Sequence, residues 1–246
     1  MEFLIFIELL FAIVGFISSL IILIDEIIRT HNLKEISKQI GWNFYRKGKT
    51  SQLNNLLHFY LFSLGSFKQM RNLLYSQTEE LNIAIFDYHF KFDRHTDIKE
   101  TVIYFRSPLL NLPNFNLLRK PHLTTNTFGD RHVVFPSNPV FSEKYSLLTD
   151  DEEAVRRVFS DRLLTYFEQK RTLNAEGAND RLILYCSDGV VQSDRIESFL
   201  EEGYRAFELF KEIQLQKSES TEKSKTQGQE PCSTKNLLAK NLMTSN

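Results

Sequence analysis

From Phe3 to Ile24 the chain is apolar at nearly every position (FLIFIELLFAIVGFISSLIILI), with Glu8 its only charge. As a helix this run extends about 33 Å, enough to cross a hydrocarbon core of about 30 Å. A helix satisfies its own backbone hydrogen bonds, which lipid demands. A cleaved signal peptide would need a basic start, a shorter apolar core and a small-residue cleavage site. Here no Lys or Arg precedes Arg29, and the run ends in IILIDE. The pattern therefore predicts a retained anchor over residues 1–25. Glu8 is expected near the outer headgroups, and Ala12, Gly15 and Ser19 form a small-residue stripe through which two spans would self-associate.

Beyond the span the pattern becomes amphipathic. Ile27, Ile28, Leu33, Ile36 and Ile40 recur at helical spacing, so residues 26–40 continue the anchor as a juxtamembrane helix closed by Gly41. A strand over Trp42 to Arg46 and a short helix over Ser51 to His58 follow. The apolar connection from Phe59 to Phe67 fits neither period. Arg71 to Thr78 and Leu81 to Phe92 alternate as two strands of a hairpin turning at Glu79-Glu80. In the second, Ala84, Phe86, Tyr88, Phe90 and Phe92 share one face and should be buried. Ile83, Ile85, Asp87, His89 and Lys91 share the other. Thr101 to Arg106 is a third strand, closed by Ser107-Pro108. Residues 111–131, interrupted by Pro113, Pro121 and Gly129, are expected to be mostly loop. Arg131 to Phe135 and Val140 to Leu148 are expected as edge strands punctuated by Pro136 and Pro139.

The last third reads as helical. Thr149 and Glu152 have the spacing of a capping box for a helix through Phe159. A second helix covers Asp161 to Gln169. A hairpin of Leu173 to Glu176 and Arg181 to Ser187 should turn through Gly177-Ala178-Asn179-Asp180. Ser193 then caps a long helix whose inner face is Ile196, Phe199, Leu200, Gly203, Phe207, Phe210 and Ile213. Apolar content vanishes after Lys217, which predicts a disordered polar tail over residues 216–246. The element order gives an α+β fold: a transmembrane helix, then one domain (41–215) with a mostly antiparallel sheet and helices packed on one face.

Charge sharpens the location. All 30 Lys and Arg follow the span, against 29 acids once Glu2 and Glu8 are set aside from the 31. A near-neutral soluble part is no footprint for nucleic acid. Basic residues concentrate just past the span, at Arg29, Lys34, Lys38, Arg46, Lys47 and Lys49. The positive-inside rule then predicts the N-terminus outside and the domain cytoplasmic. The two cysteines, Cys186 and Cys232, are not spaced as a redox or metal pair, which suits a reducing compartment.

Seven segments carry a resemblance. They are RNLL (71–74), IFDY (85–88), TVIYFRSP (101–108), LPNFNL (112–117), NPVFSEKYSL (138–147), DDEEAVRRVF (150–159) and EGANDRLILY (176–185). Together, over roughly Gly41 to Phe210, the chain resembles a group of uncharacterised bacterial proteins, cyanobacterial ones among them. Members join one N-terminal span to a cytoplasmic α+β domain. The resemblance implies that architecture and supplies no catalytic residue. The chain departs from the group around Phe92 to Asp97, where related sequences tend to be Gly-rich.

Candidate chemistry is thin. His89, Asp93 and His95 cluster within seven residues and are the only weak metal-site candidates. They span a strand end and a polar turn, whose plain reading is a solvated hairpin. His122 and His132 flank an irregular loop. Cys186-Ser187 at a strand end lacks a neighbouring base in sequence. Asp180-Arg181 reads as a local ion pair. Phosphate loops, dinucleotide fingerprints, zinc-protease and nucleophile-elbow motifs are absent, so no catalytic or cofactor-binding residue and no cofactor is expected. The leading expectation is a non-catalytic, membrane-anchored domain that binds a protein partner as a scaffold or regulator. The alternatives are a lipid or small-ligand domain at the bilayer, marked by an apolar cavity, and a hydrolase whose residues converge only in three dimensions.

Overall fold

A single helix of 38 residues, α1 (Glu2–Gln39), leads into the domain. The structure is a computed structural model and describes residues 2–48, 56–120 and 132–227. The first part of α1 is long and apolar enough to cross a bilayer, and its apolar window is buried nowhere. Its side chains point outward all round, as at Phe11 and Phe16. The second part is amphipathic: Leu33 and Ser37 are buried against the sheet. Gly41 (φ +74°) terminates the helix. Its N–H donates to Lys38 O, and that of Trp42 to Ser37 O, so the last carbonyls are satisfied.

The described residues form one antiparallel sheet in the order β1-β2-β3-β4-β9-β8-β5-β7-β6. β1 (Asn43–Lys47), β2 (Ser66–Gln77), β3 (Asn82–Lys91) and β4 (Asp97–Arg106) are a meander. β5 is Leu112–Arg119, β6 His132–Val133, β7 Tyr145–Thr149, β8 Leu173–Asn179 and β9 Arg181–Cys186. The β8–β9 hairpin stitches the halves together, since β9 pairs with β4 and β8 with β5.

The helices α3 (Pro139–Lys144), α4 (Glu152–Val158), α5 (Asp161–Glu168) and α6 (Ile196–Gln227) pack on one face, beside the base of α1. Their shared core is aromatic. Phe115 of β5 stacks on Phe210 of α6 at 5.5 Å and meets Phe159 edge-on at 5.0 Å. Gly203 lets α6 approach, because a Cβ there would lie 2.6 Å from Ile103 Cδ1. The opposite face is covered by a 3-10 turn (Leu56–His58) and the short helix α2 (Tyr60–Ser63), which bury Leu56, Phe59, Leu61 and Phe62. This is the resolution of the Phe59 to Phe67 connection.

Several expectations change. β3 has two buried faces: Ile83, Ile85 and Asp87 are covered on the helix side, as Ala84, Phe86, Tyr88 and Phe90 are on the other. Residues 112–119 are an interior strand, with a bulge between Leu112 and Phe115 that accommodates Pro113. Residues 140–144 are helical, since Pro139 supplies a favourable first helical residue. The α4 cap is Asp151, whose side chain accepts from Ala154 N; the Thr149 hydroxyl accepts from Asp151 N instead. Pairing of β8 and β9 extends to Ala178 and Arg181, so the turn is Asn179-Asp180, with Asn179 at φ 54°. A 3-10 turn (Ser193–Arg195) precedes α6, and Ser193 does not cap it. α6 runs to Gln227, past Lys217, where Lys, Glu and Gln favour helix against the Ser and Thr among them. Residues 51–55, 121–131 and 228–246, covering part of the expected short helix, loop and tail, lie outside the described residues.

Candidate functional site at the helix–sheet junction

Where α1 leaves its exposed apolar stretch, one arginine fastens it to the sheet. Arg29 Nε and Nη2 donate to the two carboxylate oxygens of Asp87, at 2.8 and 2.6 Å. Nη1 donates to Val191 O at 2.6 Å, in the segment leading to α6. Asp87 is 2 % exposed, and it accepts further bonds from Asn72 Nδ2 (2.9 Å) and Thr101 Oγ1 (3.2 Å). Thr101 Oγ1 in turn accepts from Val191 N at 3.0 Å. Asn72 reaches Asp87 because β2 bulges between Arg71 and Leu74, with Asn72 in the left-handed region at φ 50°. Asn tolerates that conformation better than most residues. A buried carboxylate is costly unless paired and fully hydrogen-bonded. Here helix, three strands and the approach to α6 all converge on it.

Beside this clasp lies a cleft of about 570 Å³, lined by Ile22, Glu26, Arg71, His89 and Lys99 among others. Glu26 bridges Arg71 Nη1 at 2.9 Å and Lys99 Nζ at 3.3 Å. Burial, and then the charge of Lys99, push the His89 imidazole below its usual value, so it is neutral near pH 7. The charges of the cleft are largely spent on one another, and what they accomplish is to hold the end of α1 against β2, β3 and β4.

The other face holds a second arrangement. Glu176 of β8 is fully buried; it accepts from Tyr60 N (2.6 Å), Leu61 N (3.0 Å) and Tyr185 Oη (2.9 Å). Burial raises its carboxyl to about 7 against the pull of these donors. Glu100 is raised to about 8, by burial and then by the charge of Glu176. Glu100 Oε2 and Tyr88 Oη, cross-strand neighbours on β4 and β3, are buried without hydrogen-bond partners. A cavity of about 420 Å³ adjoins Glu100, walled by Leu61, Leu64, Phe90, Phe92, Ile98 and Leu118 among others.

The residues singled out from the sequence are scattered. His89 lines the junction cleft on β3. Asp93 and His95 sit in the exposed β3–β4 turn, where Asp93 Oδ1 accepts from the N–H groups of His95 and Thr96, both at 2.8 Å. Those bonds, His95 N–H first, hold the Asp93 carboxyl below its usual range. Among the described residues no three His, Cys, Asp or Glu side chains are placed to share a metal ion. Ala12, Gly15 and Ser19 lie on exposed α1, with open space around Gly15. The Cys186 thiol donates to Thr172 Oγ1 at 3.3 Å. His132 Nδ1 is hydrogen-bonded to Ser146 Oγ. Asp180 pairs with both Arg106 (2.7 Å) and Arg181 (3.1 Å). His122 and Cys232 lie outside the described residues. Arg29, Asp87, Glu100 and Glu176 were not anticipated. Asp87 alone carried a signal, as a charge two residues after Ile85 on an alternating strand.

The fold is similar to that of a solved mycobacterial protein. It is described as the trehalose monomycolate transport factor A, TtfA, with a TM-score of 0.50 and 14 % sequence identity. The match covers 75 % of this chain and 93 % of that one. At that identity the likeness concerns the fold alone. No protein-family model matches the chain, and no curated protein matches it.

Proposed function

We propose that this chain is a membrane-anchored, non-catalytic factor whose domain is held at the bilayer surface and binds a protein partner there. One observation carries the reading: the apolar, unburied part of α1 continues as one helix into the Arg29–Asp87 clasp. No linker separates the two, so the domain cannot swing freely on its anchor. Such rigid placement suits a scaffold or regulator that must meet a neighbour at a set height. The basic residues Arg29, Lys34, Lys38, Arg46 and Lys47 favour a cytoplasmic domain and an outer N-terminus. The described role of the structural neighbour, a transport factor, agrees in kind with an accessory protein rather than an enzyme. Crosslinking in intact membranes followed by detergent purification tests this: a stoichiometric protein partner supports it. Release of the chain by an alkaline wash, or recovery of the chain alone, overturns it.

The 420 Å³ cavity favours a second reading, a small amphiphilic ligand with its apolar part among Phe90, Phe92 and Leu118 and a hydrogen-bond donor toward Glu100. Native mass spectrometry of the full chain should then show a bound small molecule that Leu118→Trp excludes. A spectrum identical for both proteins rejects it.

A further inference from the structure

We propose that the β3–β4 turn, with Phe67 beside it, is a second membrane contact that inserts Phe67 and Phe92 among anionic lipid headgroups. This rests on the reading of α1 as the anchor.

Strand register places the turn at the height of the bilayer. Arg71, Asp87 and Thr101 form one cross-strand row, and Gln69, His89 and Lys99, two residues on, form the next row toward the turn on the same face. Lys91 and Asp97 make the row after that. Arg29 is bonded to the first row, while Glu26, one helical turn earlier, bridges Arg71 in the first and Lys99 in the second. Toward its N-terminus, α1 therefore travels with β3 toward the turn. Asp87 to Lys91 spans four residues, about 13 Å of strand. At 1.5 Å per residue the same distance on α1 leads from Arg29 to about residue 20. That position lies inside the apolar run ending at Ile24. The turn is thus level with the end of the membrane-spanning stretch.

The side chains at that height suit the interface. Phe67 is 77 % exposed and Phe92 39 %, on opposite faces of the sheet's edge. Phe67 holds φ 52°, a left-handed conformation that a bulky aromatic residue adopts only under constraint. The constraint is visible: β2 is irregular between Ser66 and Gln69, and Gly65 packs so closely that a Cβ there would stand 2.2 Å from Lys91 O. The chain keeps a strained backbone that leaves a large ring in the open. The turn and the start of β2 carry Lys68, Lys91 and Arg94 against Asp93 and Asp97, with Lys91 paired to Asp97 at 3.8 Å, so one positive charge remains in excess. Lys91 lies 5.9 Å from the centre of the Phe67 ring. Exposed aromatic rings among an excess of cations match an anionic headgroup layer in both polarity and charge.

The full chain, reconstituted in phosphatidylcholine–phosphatidylglycerol vesicles containing acyl-brominated lipid, provides the test. In a Trp42→Phe background, Phe67→Trp makes a single reporter, Phe92→Trp a second one free of backbone strain, and Phe11→Trp reports on the span. Bromolipid quenching of all three, with the Phe67 and Phe92 reporters shielded from acrylamide, is the expected result. Quenching at position 11, with acrylamide access and no bromolipid quenching at 67 and 92, overturns the proposal and leaves the anchor standing. Shielding at 67 and 92 from both quenchers indicates a protein contact and also overturns it. Absence of quenching at position 11 removes the anchor and the proposal together. Lys68→Glu with Arg94→Glu should lose the quenching at 67 but keep that at 11; unchanged quenching refutes the anionic-lipid assignment.

Discussion

Arg29 on α1 and Asp87 on β3 meet through two hydrogen bonds of 2.6 and 2.8 Å, and through them the apolar helix and the sheet become one body. Their separation in sequence is 58 residues. Asp87 receives two further bonds, so its charge is fully engaged only while α1 is docked.

Removing one partner should therefore cost far more than removing both. Arg29→Met leaves a buried, unpaired carboxylate and is expected to destabilise the domain by about 3–5 kcal/mol. Asp87→Leu combined with Arg29→Met should recover much of that loss. Thermal melts in detergent of the parent, Arg29→Met, Asp87→Leu and the double variant give the coupling. An interaction energy under about 0.5 kcal/mol would show that the pair is not the fastening.

Glu100 and Glu176 give stability a pH dependence of definite sign. Both carboxyls rise from 4.5, to about 8 and about 7, so between those limits the folded state holds more protons than the unfolded one. Stability should accordingly fall as pH climbs from about 4.5 to about 8. Glu100→Gln should flatten that slope and raise the melting temperature at pH 8, by an amount equivalent to about 1–3 kcal/mol. Equal slopes for variant and parent protein would count against this account.

Gly177 of β8 faces Phe115, whose ring a Cβ would approach to 2.2 Å. That ring is boxed in by Phe159 and Phe210, so it cannot step aside. Gly177→Ala is expected to cost about 1–3 kcal/mol by overpacking. A chemical-denaturation midpoint equal to that of the parent would disprove the tight contact.

Phe210 of α6 is fully buried and touches the rings of Phe115, Phe159 and Phe167. Phe210→Ala should remove about 3–5 kcal/mol, while truncation after Ile213 should cost little, since residues 214–227 are polar except Leu215. Denaturation of the two proteins, followed by circular dichroism, separates the cases. A truncation as damaging as the substitution would mean that the extension to Gln227 is part of the fold.

Local pattern alone determined the apolar helix, the Glu79-Glu80 hairpin, α5 and the inner face of α6. Each has a period or a turn that needs no distant partner, and the α+β class follows from their order. Tertiary structure decided the rest. Only burial from both sides turns β3 into an interior strand, and only pairing with β7 and β8 makes Pro113 and its neighbours a strand instead of a loop. The clasp, the orphaned Glu100 oxygen and the height of the β3–β4 turn are likewise relations between residues far apart in sequence. A periodicity reports which face a residue occupies, but what lies opposite that face is set by how the whole chain closes.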